Sequence, residues 1–190
     1  LSIRLSILGL LLEEDLHPYE IRVRMKERFL DHQGKFHIGS LYYAVEQLAK
    51  QKYIEVLETI SSSNRPDKTV YRITDKGKDH FQKLLLDKIK VIEPVYHSMY
   101  IALVFADKGD QEKIASLLRE RVKEAEHHVN IQYQIYCEHQ GIVPRSVLHF
   151  MAGHYEHAMA ELKWLKRLLV DTEAGRLGQI EFTPLLDDEE

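Results

Sequence analysis

The sequence predicts a mainly α fold with a small β-hairpin, divided into two halves. Two observations carry this. Apolar residues recur at helical spacing along most of the chain, and the period switches from about 3.6 to 2 only between residues 53 and 74. Beyond that switch the chain returns to long apolar-striped stretches broken by single turns.

Residues 2–12 are almost wholly apolar apart from Arg4 and Ser6, which suits a buried first helix. The run Glu13-Glu14-Asp15-Leu16-His17-Pro18 interrupts it. Proline is tolerated in a first helical turn, where no N–H is needed, so a second helix is predicted over 18–30. Ile21, Met25 and Phe29 share one of its faces, while Arg22, Arg24, Lys26 and Arg28 fill others. A turn over 31–37 holds Gly34. Ser40 is then expected to cap a third helix running to residue 51. Leu41, Ala44, Val45 and Leu48 form its apolar stripe, which leaves Tyr43, Glu46, Gln47 and Lys50 facing outward.

Alternation over 53–60 and again over 69–74 predicts two strands. The polar, turn-rich segment 61–68 between them is too long for a tight hairpin. It is expected as a projecting loop carrying Arg65 and Lys68. Thr74 or Asp75 then caps a linking helix bearing Phe81, Leu84, Leu85, Ile89 and Ile92.

Glu93-Pro94 marks a break. An apolar helix is predicted over 95–106, a turn over 107–110, and two long helices over 111–140 and 145–171, separated by Gly141 to Pro144. Thirty helical residues span about 45 Å. Apolar faces of that length exceed what one small domain covers and argue for a homodimer. Leu117, Leu118, Leu162, Leu165 and Leu168 are the seam candidates. The expected domains are 1–92, 93–175 and an acidic tail over 176–190.

Composition narrows the function. The chain has 190 residues, 44% of them hydrophobic and 29% charged, which excludes wholesale disorder. A single cysteine, Cys137, excludes an internal disulfide framework or a cysteine zinc module and suggests a cytoplasmic protein. It reads as a buried or inert thiol rather than a redox sensor. No apolar run approaches the roughly 18 residues of a membrane span, and Leu1-Ser2-Ile3-Arg4 carries no secretory signal, so no membrane partner is expected. Residues 1–92 carry 16 Lys/Arg against 13 Asp/Glu, whereas 93–190 carry 10 against 17. An anionic partner therefore suits the first half only.

Three helices followed by a hairpin with a basic tip is the order of a winged helix-turn-helix. In that arrangement the third helix enters the DNA major groove. Ser40, Tyr42, Tyr43 and Gln47 are the candidate readers, with Lys35 and His37 in the turn ahead of them. Tyr19 sits at a helix N-terminus, where backbone N–H groups suit a phosphate. Arg65 and Lys68 would reach a flanking phosphate or the minor groove. Each feature has a plainer reading. Arg22 to Arg28 also fit a solvated helix face, Tyr42 also fits the core, and the wing cations also fit ordinary loop charges. A dimeric winged-helix interaction module without operator binding is the alternative function.

His127, His128, His139, His149, His154 and His157 form a dense histidine set. His154 and His157, with Glu156 or Glu161, are the best-spaced pair for a metal. The set lacks a third ligand at a persuasive spacing, so polar helix positions are the preferred reading. No nucleophile elbow, phosphate loop or HExxH motif is present, so neither an enzyme nor a cofactor is expected. Tyr96, Tyr100, Tyr155 and Trp164 are candidates to line an apolar ligand pocket, against the plainer reading of core and dimer seam.

Several blocks resemble the PadR family of bacterial transcriptional regulators. Ile7-Leu8-Gly9-Leu10-Leu11 and His17-Pro18-Tyr19-Glu20-Ile21 resemble its opening. The run from Ile38-Gly39-Ser40-Leu41-Tyr42 to Leu48 is similar to its recognition helix. Lys68 to Gly77 resembles its second wing strand and following turn. The second half is similar to the long C-terminal domain of the subgroup that includes AphA-type regulators, with Glu161-Leu162-Lys163-Trp164-Leu165 as the best segment. The resemblance implies a dimeric regulator, most simply a repressor, on a dyad-symmetric operator and responsive to a small aromatic or phenolic effector. This chain departs from the family pattern at five positions. Pro18 and Lys52 stand where glycine is usual, Tyr43 where proline is, Gln47 where a basic residue is, and Ala49 where an acidic one is. Tyr43 and Gln47 face outward, so the operator does not carry over with the resemblance.

Overall fold

The computed structural model describes residues 3–28, 38–62, 65–94, 97–180 and 184–186. Two compact units divide at Pro94 and Val95. The first contains α1 (Ile3–Leu11), α2 (Pro18–Glu27), α3 (Ile38–Lys50), β1 (Ile54–Ser62), β2 (Arg65–Ile73) and α4 (Asp75–Ile89). The second contains α5 (Met99–Leu103), a 3₁₀ turn (Ala106–Lys108), α6 (Gln111–His139) and α7 (Arg145–Glu173).

The apolar stripes of α1, α2 and α3 meet in one core. Ile7, Leu8, Ile21 and Leu48 are fully buried there, with Ile54 and Ile73 closing it from the hairpin. Helix α2 begins with a reciprocal cap. His17 Nδ1 accepts from the Tyr19 N–H (3.1 Å), and the Glu20 carboxylate accepts from the His17 N–H (3.0 Å). Outside the core, Glu13 and Arg28 form a two-pronged ion pair (2.6 and 2.5 Å) that ties the α1–α2 loop to the end of α2.

Helix α3 begins at Ile38, so Ser40 lies inside the first turn rather than at the cap. It ends by a Schellman turn. The Lys52 N–H donates to the Ala49 carbonyl and the Tyr53 N–H to the Leu48 carbonyl, both at 2.9 Å. That turn places Lys52 at φ 58°, the left-handed region that glycine occupies most readily.

The hairpin differs from the sequence expectation. The two strands are antiparallel, pair Ile54 with Ile73, and continue to Ser62 and Arg65. Segment 61–68 is therefore mostly ladder, because two bulges, after Val56 and after Ile60, let the strands twist without separating. Leu16 and Tyr71 exchange backbone hydrogen bonds of 3.1 and 3.0 Å, adding a third short edge. Beside them the Arg72 guanidinium grips the Asp15 carboxylate (2.6 to 3.1 Å). Thr74 caps α4, accepting from the Gly77 N–H (3.1 Å) and donating to the Lys52 carbonyl (2.8 Å). Helix α4 stops at Ile89, so Ile92 lies beyond it and is exposed.

In the second unit, the described part of the helix expected over 95–106 forms the five residues of α5, and the turn expected over 107–110 begins within the 3₁₀ turn. Helices α6 and α7 are 29 residues each and pair antiparallel. Leu118, Val122, Val129, Ala158, Leu162 and Leu165 form the core between them. Ion pairs cross the same seam: Arg119 with Glu173 (2.7 Å), Lys166 with Glu126 (2.7 Å) and Arg121 with Glu161 (3.1 Å). Among the described residues, no helix is long and apolar enough to cross a membrane.

Candidate nucleic-acid interface and aromatic cluster

Burying Leu41, Ala44, Val45 and Leu48 fixes the rotation of α3. At 100° per residue, the ridge opposite that stripe is Gly39, Tyr43, Glu46 and Lys50, and all four are exposed. Tyr43 is 63% exposed and Tyr42 45%, so Tyr42 belongs to the surface rather than the core. Ser40 is also exposed, and Gln47 is half-buried on the flank. The Glu46 carboxylate pairs with the Lys50 ammonium one turn on (2.7 Å) and holds its pKa above the ordinary value. Glu46 and Lys50 were legible as outward positions, yet their mutual pairing was not anticipated.

The N-terminus of α2 is occupied from within the chain. The Tyr19 N–H already donates to His17, and the Glu20 carboxylate lies at the same end. An incoming phosphate would thus meet a carboxylate, and the exposed Tyr19 side chain is what this position offers. Arg65 and Lys68 lie on β2, and their side chains lie outside the described set. Lys35 and His37 lie outside the described residues.

The effector candidates separate into two places. The Tyr100 and Trp164 rings meet edge to face at 5.5 Å. His97 completes a triad with them, 5.7 Å from Tyr100 and 5.4 Å from Trp164. Arg121 Nη2 sits 3.3 Å from His97 Nε2 and donates to Glu161 (3.1 Å). His97, Arg121 and Glu161 were not among the effector candidates read from the sequence, because their sequence separation hides the convergence of three elements. Tyr155 is elsewhere, 5.4 Å from Tyr133. Tyr96 lies outside the described residues.

The seam candidates also divide. Leu118, Leu162 and Leu165 are buried in the α6–α7 core of this chain, and Leu168 packs against that core. Leu117, 63% exposed, is the one that stays outside. Cys137 is exposed, which removes the buried alternative of the expected buried or inert thiol. Among the described residues, no group of three or more histidine, cysteine or carboxylate side chains is placed to hold a metal.

Residues 7–83 match the model of the Transcriptional regulator PadR-like family. No curated protein sequence matches the chain. Among solved structures, Bacillus subtilis PadR in complex with operator DNA is similar at a TM-score of 0.75 and 19% identity, covering 90% of this chain and 99% of that one. The same regulator in complex with p-coumaric acid gives 0.71 and 18%, covering 90% and 98%. The Vibrio cholerae virulence activator AphA gives 0.69 and 16%, covering 91% and 99%. These likenesses show a shared fold along both units. Residues 7–83, the stretch from within α1 to within α4, are thus similar to the PadR-like family of transcriptional regulators, a likeness that lies in the first unit.

Proposed function

We propose that this chain is a homodimeric repressor that binds a dyad-symmetric operator and is released by a small aromatic or phenolic effector. The observation that carries the reading is the face of α3. A helix that buries one apolar stripe leaves Ser40, Tyr42 and Tyr43 in water, with Gln47 half-buried on the flank, all on one rigid element. Base edges are best read by such a helix in the major groove. Tyr19, Lys35, His37, Arg65 and Lys68 would meet phosphates and fix register. Residues 1–92 would read DNA, 93–175 would dimerise and sense, and 176–190 would form a peripheral tail, all in the cytoplasm. Two copies paired through the second unit, with Leu117 in the contact, would meet two half-sites about one DNA turn apart.

Support for release by an effector comes from the His97, Tyr100 and Trp164 triad, with Arg121 beside it for an effector carboxylate. The likeness to a regulator solved with operator DNA and with p-coumaric acid points the same way. A 100-fold loss of operator affinity needs only about 2.7 kcal/mol of coupling.

Selection from a random duplex library at moderate salt tests the reading. A dyad-symmetric motif is expected. Tyr43→Ala and Gln47→Ala should relax the motif, while Arg65→Ala and Lys68→Ala should weaken binding to all sequences and reduce the salt slope by about one per cation. Retention of no motif would favour a winged-helix interaction module instead.

A further inference from the structure

We propose that the Glu46–Lys50 ion pair on the outer ridge of α3 reads one C·G base pair, the carboxylate on the cytosine amino group and the ammonium on the guanine. This rests on the reading of α3 as the major-groove helix. Glu46 is the ninth residue of the 13-residue helix, opposite the buried stripe, with its side chain 59% exposed. Lys50 lies one turn on, 62% exposed, with its ammonium 2.7 Å from the Glu46 carboxylate.

A carboxylate at that place adds nothing to non-specific affinity, because every phosphate repels it. Beyond the i,i+4 support it gives the helix, its contribution on duplex DNA is selection. In the major groove, guanine offers two acceptors, and thymine offers an acceptor and a methyl group. Both repel or fail to bond a carboxylate. Adenine offers one donor, but with an acceptor beside it. Cytosine alone offers an amino donor without an adjacent acceptor on its own edge. Its partner guanine carries the acceptors O6 and N7 that an ammonium seeks. An ion pair of opposite charges therefore matches the C·G edge in both members. The other two ridge residues bring no charge: Tyr43 is neutral and Gly39 has no side chain.

The experiment is the same library selection run with the full chain, Glu46→Ala, Glu46→Gln and Lys50→Ala. The wild-type motif should contain a C·G pair in each half-site at which other bases bind about tenfold more weakly. Glu46→Ala should flatten that position and tighten binding to unrelated duplex. Glu46→Gln should shift it from C·G towards A·T, since a carboxamide pairs with adenine at both its donor and its acceptor. Lys50→Ala should weaken the same position while leaving the rest of the motif intact. A motif unchanged in both Glu46 variants overturns the assignment. Uniform loss in Lys50→Ala, with a lower salt slope, places that ammonium on a phosphate and overturns the paired reading. Absence of any motif with the wild-type chain overturns operator reading itself and this assignment with it.

Discussion

The His80 imidazole of α4 lies parallel to the Tyr53 ring just ahead of β1, with centroids 4.0 Å apart and planes within 10°. The Lys76 ammonium stands 4.8 Å from the same Tyr53 ring and donates to the Gln51 carbonyl (2.9 Å). The residues that end α3 are thus held from α4. Burial, and then the charges of Arg4, Lys83 and Lys76, keep the His80 pKa below its ordinary value.

The stack makes stability depend on pH. The unfolded chain protonates His80 more readily than the folded one, so this contribution is fully present above the unfolded histidine pKa of about 6.5. It is lost as pH falls from there towards the lower folded value. Urea midpoints at about pH 7.5 and about pH 5.5 should converge in His80→Phe, which keeps an aromatic ring but cannot titrate. An identical pH dependence in the variant would assign the effect to other histidines.

Gly77 marks a second close approach. A Cβ there would lie 2.0 Å from the Tyr53 carbonyl oxygen and 2.8 Å from the Ile73 side chain. Backbone cannot yield as a flexible side chain does, so Gly77→Ala should destabilise the first unit by about 3 kcal/mol. Thr74→Ala, which removes the α4 cap bonded to the Gly77 N–H, should cost about 1 kcal/mol. Denaturation followed by circular dichroism measures both, and a cost for Gly77→Ala no larger than for Thr74→Ala would contradict the steric argument.

Lys52 carries the opposite expectation. Helices α3 and α7 end in the same hydrogen-bonded turn, and α7 places Gly175 in the left-handed position at φ 66°. Lys52 occupies that position at φ 58° without the freedom of glycine. Left-handed backbone costs an L-residue about 1–2 kcal/mol, offset by about 0.5–1 kcal/mol for the greater unfolded freedom of glycine. Lys52→Gly should therefore stabilise the protein by about 0.5 kcal/mol. A lower melting temperature would show that the Lys52 side chain stabilises the fold in another way.

Trp164 is the sole tryptophan, so its fluorescence reports on the aromatic triad directly. Titration with a phenolic acid such as p-coumaric acid should give a saturable change in emission. Arg121→Ala should weaken that binding about tenfold by removing a hydrogen-bonding cation. A signal unaffected by Arg121→Ala and Tyr100→Ala would move any effector site away from this cluster.

Helical spacing and the switch to a period of two were enough to reveal the element order, the buried stripe of α3 and its outward face. These are local properties, fixed by which side chains must leave water together. The start of α4, narrowed to a cap at Thr74 or Asp75, and the break at Gly141 to Pro144 were legible for the same reason, and the structure chose Thr74. Tertiary structure alone decided the rest. Segment 61–68 looked like a loop because its residues are polar, but pairing and bulges made most of it strand. Leu118, Leu162 and Leu165 read as a seam between copies because spacing shows that a face is apolar, not what covers it. The neighbouring helix of the same chain covers it. His97, Arg121 and Trp164 stand far apart in sequence and meet only when the second unit folds. Periodicity records each residue's exposure to water, whereas a site needs distances between remote residues, and those exist only after the chain has packed.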